Sequence, residues 1–362
     1  MSTEKTTPGQ LFAALFVSRL LVSFTYISVY GRKTDGGAAA LSALFSLLLA
    51  FGVLFLQRSF LADGEESILV RAERVSPALC RISAAAYLAV FLFAAFAAAM
   101  RIEVFTGTVL FSDNRNHWLT ALMLAGASYG AYKGLRAVGR AAAVTTVLTG
   151  AGLLLLVCAA AGKIRTDHLV SPFRDGLSPL LKQSALSLGS TAEIAVLPIL
   201  RFRCAGSAKK AAPIWLIASF GCAAALAFLD RAVLGGFGET EIFPVYALTT
   251  HARLGEGVRL DALFTAIWIL CALIKLCLYL TVLLQVLRDG FRIKNKAAAL
   301  AVICALCAGS VIALSYNLNT AAVFTSAAPP ALFAVSALLI PLTVRAAERV
   351  RERRTVIGEG RI

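Results

Sequence analysis

Long runs of apolar residues divide this sequence into segments that each have the length of a membrane-spanning helix. A helix needs about 20 predominantly apolar residues to cross the hydrocarbon core of a bilayer. Hydrophobic residues account for 59% of the 362 residues and charged residues for 15%, whereas soluble domains have roughly 45–50% and about 25%. The pattern therefore predicts an all-α polytopic membrane protein.

We predict about ten transmembrane helices. They lie at about residues 10–30, 38–56, 78–105, 118–132, 138–162, 177–200, 212–234, 260–287, 297–316 and 326–344. All belong to a single transmembrane domain, with a first repeat at about 10–162, a second at about 177–344, and a basic tail at 345–362. The polar stretch 57–77 contains SILVRAERV, which we interpret as a short amphipathic helix at the membrane surface.

The Lys and Arg residues follow the alternation of the predicted loops. Those outside the spans number 22 on the side of the N-terminus and 8 on the opposite side. Because loops rich in Lys and Arg stay in the cytoplasm, this bias predicts that both termini are cytoplasmic. The net charge of +15 lies in loops beside membrane lipid and does not predict nucleic-acid binding.

The sixth span, Leu177–Leu200, has a middle that is unusual for a lipid-facing helix. Its centre holds a run of small and hydroxyl residues and then a carboxylate: Ser184, Ser187, Gly189, Ser190, Thr191 and Glu193. Such a run marks a place where a membrane helix can break and present its backbone to a ligand. We therefore predict a discontinuous helix that lines a site near the membrane midplane. The alternative is a continuous helix whose small residues pack on neighbouring helices and whose Glu193 lies near a membrane interface.

The first span carries a similar group of hydroxyl residues just past its middle, at Ser23, Thr25 and Ser28. Spans 1 and 6 are five apart in a chain of ten. Interrupted helices at corresponding positions of two halves indicate an inverted-repeat transporter fold and its binding site. The placement predicts a 5+5 inverted repeat with discontinuous helices 1 and 6, as in LeuT-like proteins.

Three segments resemble one family. They are TPGQLFAALFVSRLLVSFTY in the first span, LSPLLKQSALSLGSTAEIAVLP in the sixth, and IFPVYALTTHARLGEGVRLDALFTAIWILCALIKLCLYL in the outer loop and eighth span. With their order and spacing, the chain resembles the spore germination permease family, the B subunits of nutrient germinant receptors. That family belongs to the amino acid–polyamine–organocation transporter superfamily. The chain departs from it at Val29, where the family often has Pro.

The resemblance implies a sensor in the spore inner membrane or the cell membrane. It would bind a small nutrient such as an amino acid and trigger germination with a receptor A subunit and a lipoprotein C subunit. No cofactor and no metal are implied. The family's pocket positions fall on spans 1, 3, 6 and 8 of this sequence. On span 1 they are Val22, Ser23, Phe24 and Thr25, on span 3 Glu103, and on span 6 Gly189, Ser190, Thr191 and Glu193. On span 8 they follow one face of the helix.

Two roles stay open for the polar residues at the predicted breaks. Ser23 and Thr25 belong either to a broken helix that offers backbone N–H groups to a carboxylate or to a helix whose hydroxyls bond to its own carbonyls. Glu193 either faces the ammonium of an amino acid or a cation pathway, or forms a structural ion pair.

The remaining charges in the spans are candidate partners for the two carboxylates. Arg101 and Glu103 are two residues apart, so on a helix they do not share a face. Arg19 and Lys275 are candidates for buried pairing with Glu103 or Glu193. The sequence does not assign these pairs.

No enzyme motif is present: the chain has no GxSxG, P-loop or HExxH sequence. The competing functions are therefore a germinant sensor and an amino-acid or cation secondary transporter on the same fold, because a fold does not decide function. A scaffold subunit with a vestigial pocket is a third alternative.

Overall fold

The computed structural model describes residues 5–25, 36–61, 66–111, 117–169, 173, 176–254, 258–315 and 328–359. Within the described residues, the ten predicted spans correspond to twelve helices, because the sixth and the tenth spans are each formed by a pair. They are α1 (Pro8–Phe24), α2 (Gly36–Leu56), α5 (Pro77–Phe105), α6 (His117–Lys133), α7 (Leu135–Ala161), the pair α8 (Leu177–Gly189) and α9 (Glu193–Leu200), α10 (Ala211–Leu234), α12 (Asp261–Phe291), α13 (Lys296–Ser315), and the pair α14 (Ala328–Phe333) and α15 (Ile340–Glu359).

Among the described residues, eight helical segments are long and apolar enough to cross a bilayer. The two remaining predicted spans are α1 and α6, which have 17 residues each. The prediction of an all-α polytopic protein with about ten membrane helices is confirmed. The predicted second part of span 1, including Ser28 and Val29, lies outside the described residues, as do positions 316–327.

The centre of the bundle is formed by α12, a helix of 31 residues. It packs against α1, α5, α6 and α7. Apolar and buried positions occur all around this helix, as expected for a helix surrounded by others. By contrast, α7 exposes Val144, Val147 and Leu154, so it lies at the periphery, where lipid is the expected environment.

The polar stretch after α2 forms two short helices, α3 (Arg58–Leu61) and α4 (Ile68–Val75). The side chain of Ser67 caps α4. The apolar residues Ile68 and Leu69 of α4 are buried, because α4 packs against α5 and α15. The predicted amphipathic helix therefore exists, but its apolar face contacts the helical bundle.

The loop after α10, which we predict to lie outside, contains α11 (Pro244–His251). It also contains the paired strands β1 (Arg253–Leu254) and β2 (Val258–Arg259), which are antiparallel.

The last predicted span contains a π-helical turn, Ala334–Leu339, between α14 and α15. Two carbonyl groups of this turn accept hydrogen bonds from side chains that are distant in the sequence. The Tyr87 hydroxyl donates to the Ser336 carbonyl at 3.1 Å, and the Gln57 amide donates to the Ala337 carbonyl at 2.6 Å. Beyond the turn, α15 continues to Glu359, so most of the basic tail extends the last helix.

Candidate functional site

The sixth span is interrupted at the predicted place. The helix α8 ends at Gly189 and α9 begins at Glu193. The Thr191 amide donates to the Leu188 carbonyl at 2.9 Å, which leaves the Ser187 carbonyl without its regular helical partner. The hydroxyls of Ser190 (2.7 Å) and Thr191 (3.1 Å) donate to that carbonyl instead. The hydroxyl residues of this segment therefore satisfy the broken end of α8.

Arg19 lies beside the same end of α8. Its guanidinium donates to the carbonyl (3.4 Å) and the hydroxyl (3.3 Å) of Ser187, and it lies 5.2 Å from the ring centre of Phe220. The C-terminal end of a helix carries partial negative charge. A buried cation from α1 consequently stabilises the break.

Glu193 forms a buried ion pair with Lys275. The Lys275 ammonium lies 2.5 Å from Glu193 Oε1, and that oxygen also accepts hydrogen bonds from Ser18 Oγ (2.6 Å) and the Tyr279 hydroxyl (3.1 Å). Lys275 donates as well to the Ser18 backbone carbonyl, at 3.1 Å. Lys275 and Tyr279 share a face of α12 because they are four residues apart. This network joins α1, α9 and α12.

The second oxygen of Glu193, Oε2, is buried and has no hydrogen-bond partner among the residues that the structure describes. A buried carboxylate oxygen without a partner carries a large desolvation cost. The hydrogen bonds of this network therefore satisfy only one oxygen of the Glu193 carboxylate.

Glu103 lies in a different environment from Glu193. Its Oε1 is 2.7 Å from His117 Nδ1, and its Oε2 accepts a hydrogen bond from Thr120 Oγ1 at 2.6 Å. Both partners belong to the start of α6, so neither Arg19 nor Lys275 pairs with Glu103. Arg101 points elsewhere and donates to the Thr25 carbonyl at 3.2 Å, in agreement with the expectation that Arg101 and Glu103 occupy different faces of α5.

A cavity of about 60 Å³ adjoins the break. It lies between α1, α5, α8, α12 and α14. Its polar lining comes from Arg101, Lys275, Tyr279 and Ser190, and its apolar lining includes Val22, Phe93 and Phe333. Two cationic side chains and the broken helix thus meet at one small, otherwise apolar space.

The cavity includes only some of the residues singled out from the sequence. Val22, Gly189 and Ser190 line it, together with the candidate charge partners Arg101 and Lys275. The other predicted positions do not line it: Ser23, Phe24, Thr25, Glu103, Thr191 and Glu193.

The first-span positions among these have other surroundings. Phe24 packs on Phe264, with ring centres 5.3 Å apart, and the Thr25 hydroxyl donates to the Leu21 carbonyl of its own helix at 2.5 Å. The Ser23 hydroxyl is buried and has no partner within the described part of the chain.

Tyr279 is a site residue that sequence reasoning missed. The available signal was its position one helical turn after Lys275, which places both polar groups on the same face of a mostly apolar helix. The lining residues from α14 had no comparable signal, because their apolar side chains resemble those of any membrane helix.

Gly189 is required by close packing. A Cβ atom at this position would lie 2.6 Å from Cα and 2.7 Å from N of Pro330 in α14. Small residues also allow α2 to pack closely on the other side of α8. There the Ser46 hydroxyl of α2 donates to the Ser184 carbonyl at 3.0 Å. The broken helix and the packing of small residues, which the sequence presented as alternatives, are both present in this span.

These features define a permease-type membrane protein of the LeuT fold, with a small, mostly apolar cavity at the break in its sixth span, lined also by Arg101 and Lys275. The spore germination protein family, Spore_permease, matches residues 5–318. The chain belongs to this family, as its sequence motifs suggested.

Among solved structures, the chain is similar to Mhp1, a nucleobase-cation-symport-1 family transporter in a closed conformation with bromovinylhydantoin bound. The TM-score is 0.56 at 16% sequence identity, and the alignment covers 87% of this chain and 73% of that chain. This likeness establishes the shared fold. No curated protein matches the sequence significantly.

Proposed function

We propose that this protein is the B subunit of a nutrient germinant receptor that binds a small amino acid at the cavity beside the break in span 6. Binding would trigger germination together with a receptor A subunit and a lipoprotein C subunit. Membership of the spore germination protein family supports this role. The observation that carries the ligand assignment is the meeting of Arg101, Lys275 and the broken helix at one small cavity.

The charges around the cavity favour a ligand that has a carboxylate. The cationic side chains that line the cavity are Arg101 and Lys275, and Glu193 is the carboxylate bound to Lys275. A ligand carboxylate would meet Arg101 and Lys275. The ligand ammonium would be met by backbone carbonyls near the break, because an unpaired charge in such surroundings is very costly.

The size of the cavity favours a small ligand. Sites for drug-sized molecules typically have volumes of about 300–1,000 Å³, against about 60 Å³ here. The phenylalanine rings at Phe93 and Phe333 close two sides of the space. A compact amino acid fits these dimensions better than a nucleobase or a larger side chain.

An amino-acid or cation secondary transporter is the second candidate, and the fold shared with a cation symporter favours it. The buried network favours the receptor. A transported cation needs oxygen ligands, and Lys275 already occupies Glu193 Oε1 and the Ser18 carbonyl. The Lys275 ammonium thus already binds the oxygen atoms that a transported cation would need as ligands.

The test compares Arg101→Gln with Arg140→Gln, an exposed arginine on α7 away from the cavity. Germination should be measured as a function of amino-acid concentration, with protein level controlled by immunoblot. Loss of a charge-assisted hydrogen bond costs roughly 1.5–3 kcal/mol. Arg101→Gln should therefore raise the half-maximal concentration about ten- to a hundredfold, whereas Arg140→Gln should have no effect.

Two further measurements test the position of the site and the receptor role. Glu103→Gln should leave the response unchanged because Glu103 binds His117 and Thr120 outside the cavity. Co-purification from spores should recover the A and C subunits. If Arg101→Gln responds at wild-type concentrations, the cavity is not the ligand site. Amino-acid uptake by the purified protein alone in liposomes would establish the transporter instead.

A further inference from the structure

A second and much larger cavity, of about 330 Å³, lies at the opposite end of α12 from the outer loop. The ends of α6 and α12, the start of α13 and the turn after α9 enclose it. By the distribution of Lys and Arg, this is the end of the bundle that we predict to face the cytoplasm. The cavity shares no lining residue with the one at the helix break.

Four cationic side chains line this space, which we call the basic cavity: Arg203, Arg288, Lys294 and Lys296. No Asp or Glu is among its lining residues. Within the described part of the chain, none of the four forms an ion pair. Concentrated positive charge in a recess attracts an anion, and low-dielectric walls strengthen that attraction.

Arg203 is held in place by a buried network. Its guanidinium donates to Gln285 Oε1, and Gln285, which is only 3% exposed, donates to Asp289 at 2.6 Å. Asp289 is bound in turn by the Ser67 hydroxyl at 2.5 Å. The carboxylate of this network, Asp289, is thus bound by Gln285 and Ser67, and Gln285 orients the Arg203 guanidinium before any ligand arrives.

The start of α13 adds to the positive field. Asn295 caps this helix of 20 residues by accepting a hydrogen bond from the Ala298 amide at 3.1 Å, and Asn295 and Lys296 both line the cavity. Helix N-termini carry partial positive charge and N–H groups that favour phosphate and other anions.

The apolar surface beside the cavity indicates where the anion comes from. Ala299 lines the cavity, and Val302 and Leu306 continue the same face of α13 because they are three and seven residues further on. Val302 is 60% exposed and Leu306 is 55% exposed. On a helix that is a candidate membrane span, this face extends from the cations into the region of lipid acyl chains.

We propose that the basic cavity binds the phosphate group of an anionic phospholipid from the cytoplasmic leaflet, with the acyl chains along Val302 and Leu306. Basic recesses between membrane helices on the cytoplasmic side suit such headgroups. A free phosphate ion would use the cations but not the apolar face of α13. This inference is independent of the ligand at the helix break.

The test uses the full-length protein purified in detergent and native mass spectrometry with added phosphatidylglycerol or phosphatidylcholine. The double variant Arg288→Gln/Lys294→Gln removes two exposed cations of the cavity, and Lys209→Gln/Lys210→Gln is the control, with two exposed lysines on the same predicted side. Each cation near a membrane surface contributes about fivefold in affinity, so the loss of two should make the first variant bind phosphatidylglycerol about 25-fold more weakly. The control should bind as the wild type does.

Binding of phosphatidylglycerol in preference to phosphatidylcholine, lost only in the first variant, supports the proposal. Equal loss in both variants, or no retained lipid in the wild type, overturns it. A parallel thermal-unfolding series with inorganic phosphate distinguishes the two sources of the anion. If inorganic phosphate alone protects the protein as well as the lipid does, the site takes free phosphate and the lipid assignment is wrong.

Discussion

The buried pair formed by Glu193 and Lys275 makes a sharp prediction about stability. Lys275→Met removes the ammonium and keeps an unbranched side chain of similar length. The Glu193 carboxylate then retains only the neutral donors Ser18 and Tyr279, at 2.6 and 3.1 Å. Breaking a buried ion pair by removing one partner costs about 3–5 kcal/mol, because the other charge stays buried without compensation. We expect Lys275→Met to lower the free energy of unfolding by that amount.

Glu193→Gln should cost less than Lys275→Met. The amide oxygen still accepts hydrogen bonds from Ser18 and Tyr279, and the Lys275 ammonium keeps the Ser18 carbonyl at 3.1 Å. The double variant removes both charges, and replacing a buried pair by neutral groups is often close to neutral. Its stability should therefore lie nearer to the wild type than that of Lys275→Met alone, which means that the two substitutions are not additive.

The assay is the midpoint of thermal unfolding in detergent, read from the folded fraction in size-exclusion chromatography. Reversible unfolding in mixed micelles then gives the coupling free energy of the double-mutant cycle. Additive effects in that cycle would refute the interpretation of the pair as a buried and mutually compensating unit. So would a Lys275→Met variant that unfolds at the wild-type temperature.

Two other predictions concern the packing of the break and the topology. Gly189→Ala places a Cβ 2.6 Å from the Pro330 backbone, so it should lower the free energy of unfolding by about 1–3 kcal/mol. The control in the same unfolding assay is Gly150→Ala, because a Cβ at Gly150 would lie in open space. Equal unfolding midpoints for the two variants would contradict the close contact at Gly189. Cysteine labelling in intact cells should find Gly358→Cys protected in the cytoplasm and Gly238→Cys accessible from outside, and an external position 358 would overturn the predicted topology.

The helices were predictable from the sequence because membrane solvation imposes their length and composition. The break in span 6 was also predictable, since the run around Gly189 followed by Glu193 is unfavourable in a plain lipid-facing helix. The π-helical turn at Ala334–Leu339 had no such signal. Its carbonyls accept hydrogen bonds from Tyr87 and Gln57, which are distant in the sequence and reach them only in the folded protein.

The site was predictable in its charges but not in its contacts. The sequence marked Arg19, Arg101 and Lys275 as the cations that needed partners, because few charges occur within the spans. It could not decide between Glu103 and Glu193, since both are carboxylates in or near apolar segments. In the structure, Glu103 binds His117 and Thr120 at the start of α6. The carboxylate that pairs with Lys275 is therefore Glu193.

The π-helical turn has a mechanical consequence for the end of the chain that we predict to be cytoplasmic. A π turn bonds i to i+5 and so contains one residue more than an α turn. If Ala334–Leu339 became regular helix, every residue beyond it would rotate by about 100° around the helix axis. Glu348, now 2.5 Å from Arg71, would leave that face of α15. Since Phe333 both lines the cavity and precedes this turn, the angular position of α15 is geometrically linked to the space beside the helix break.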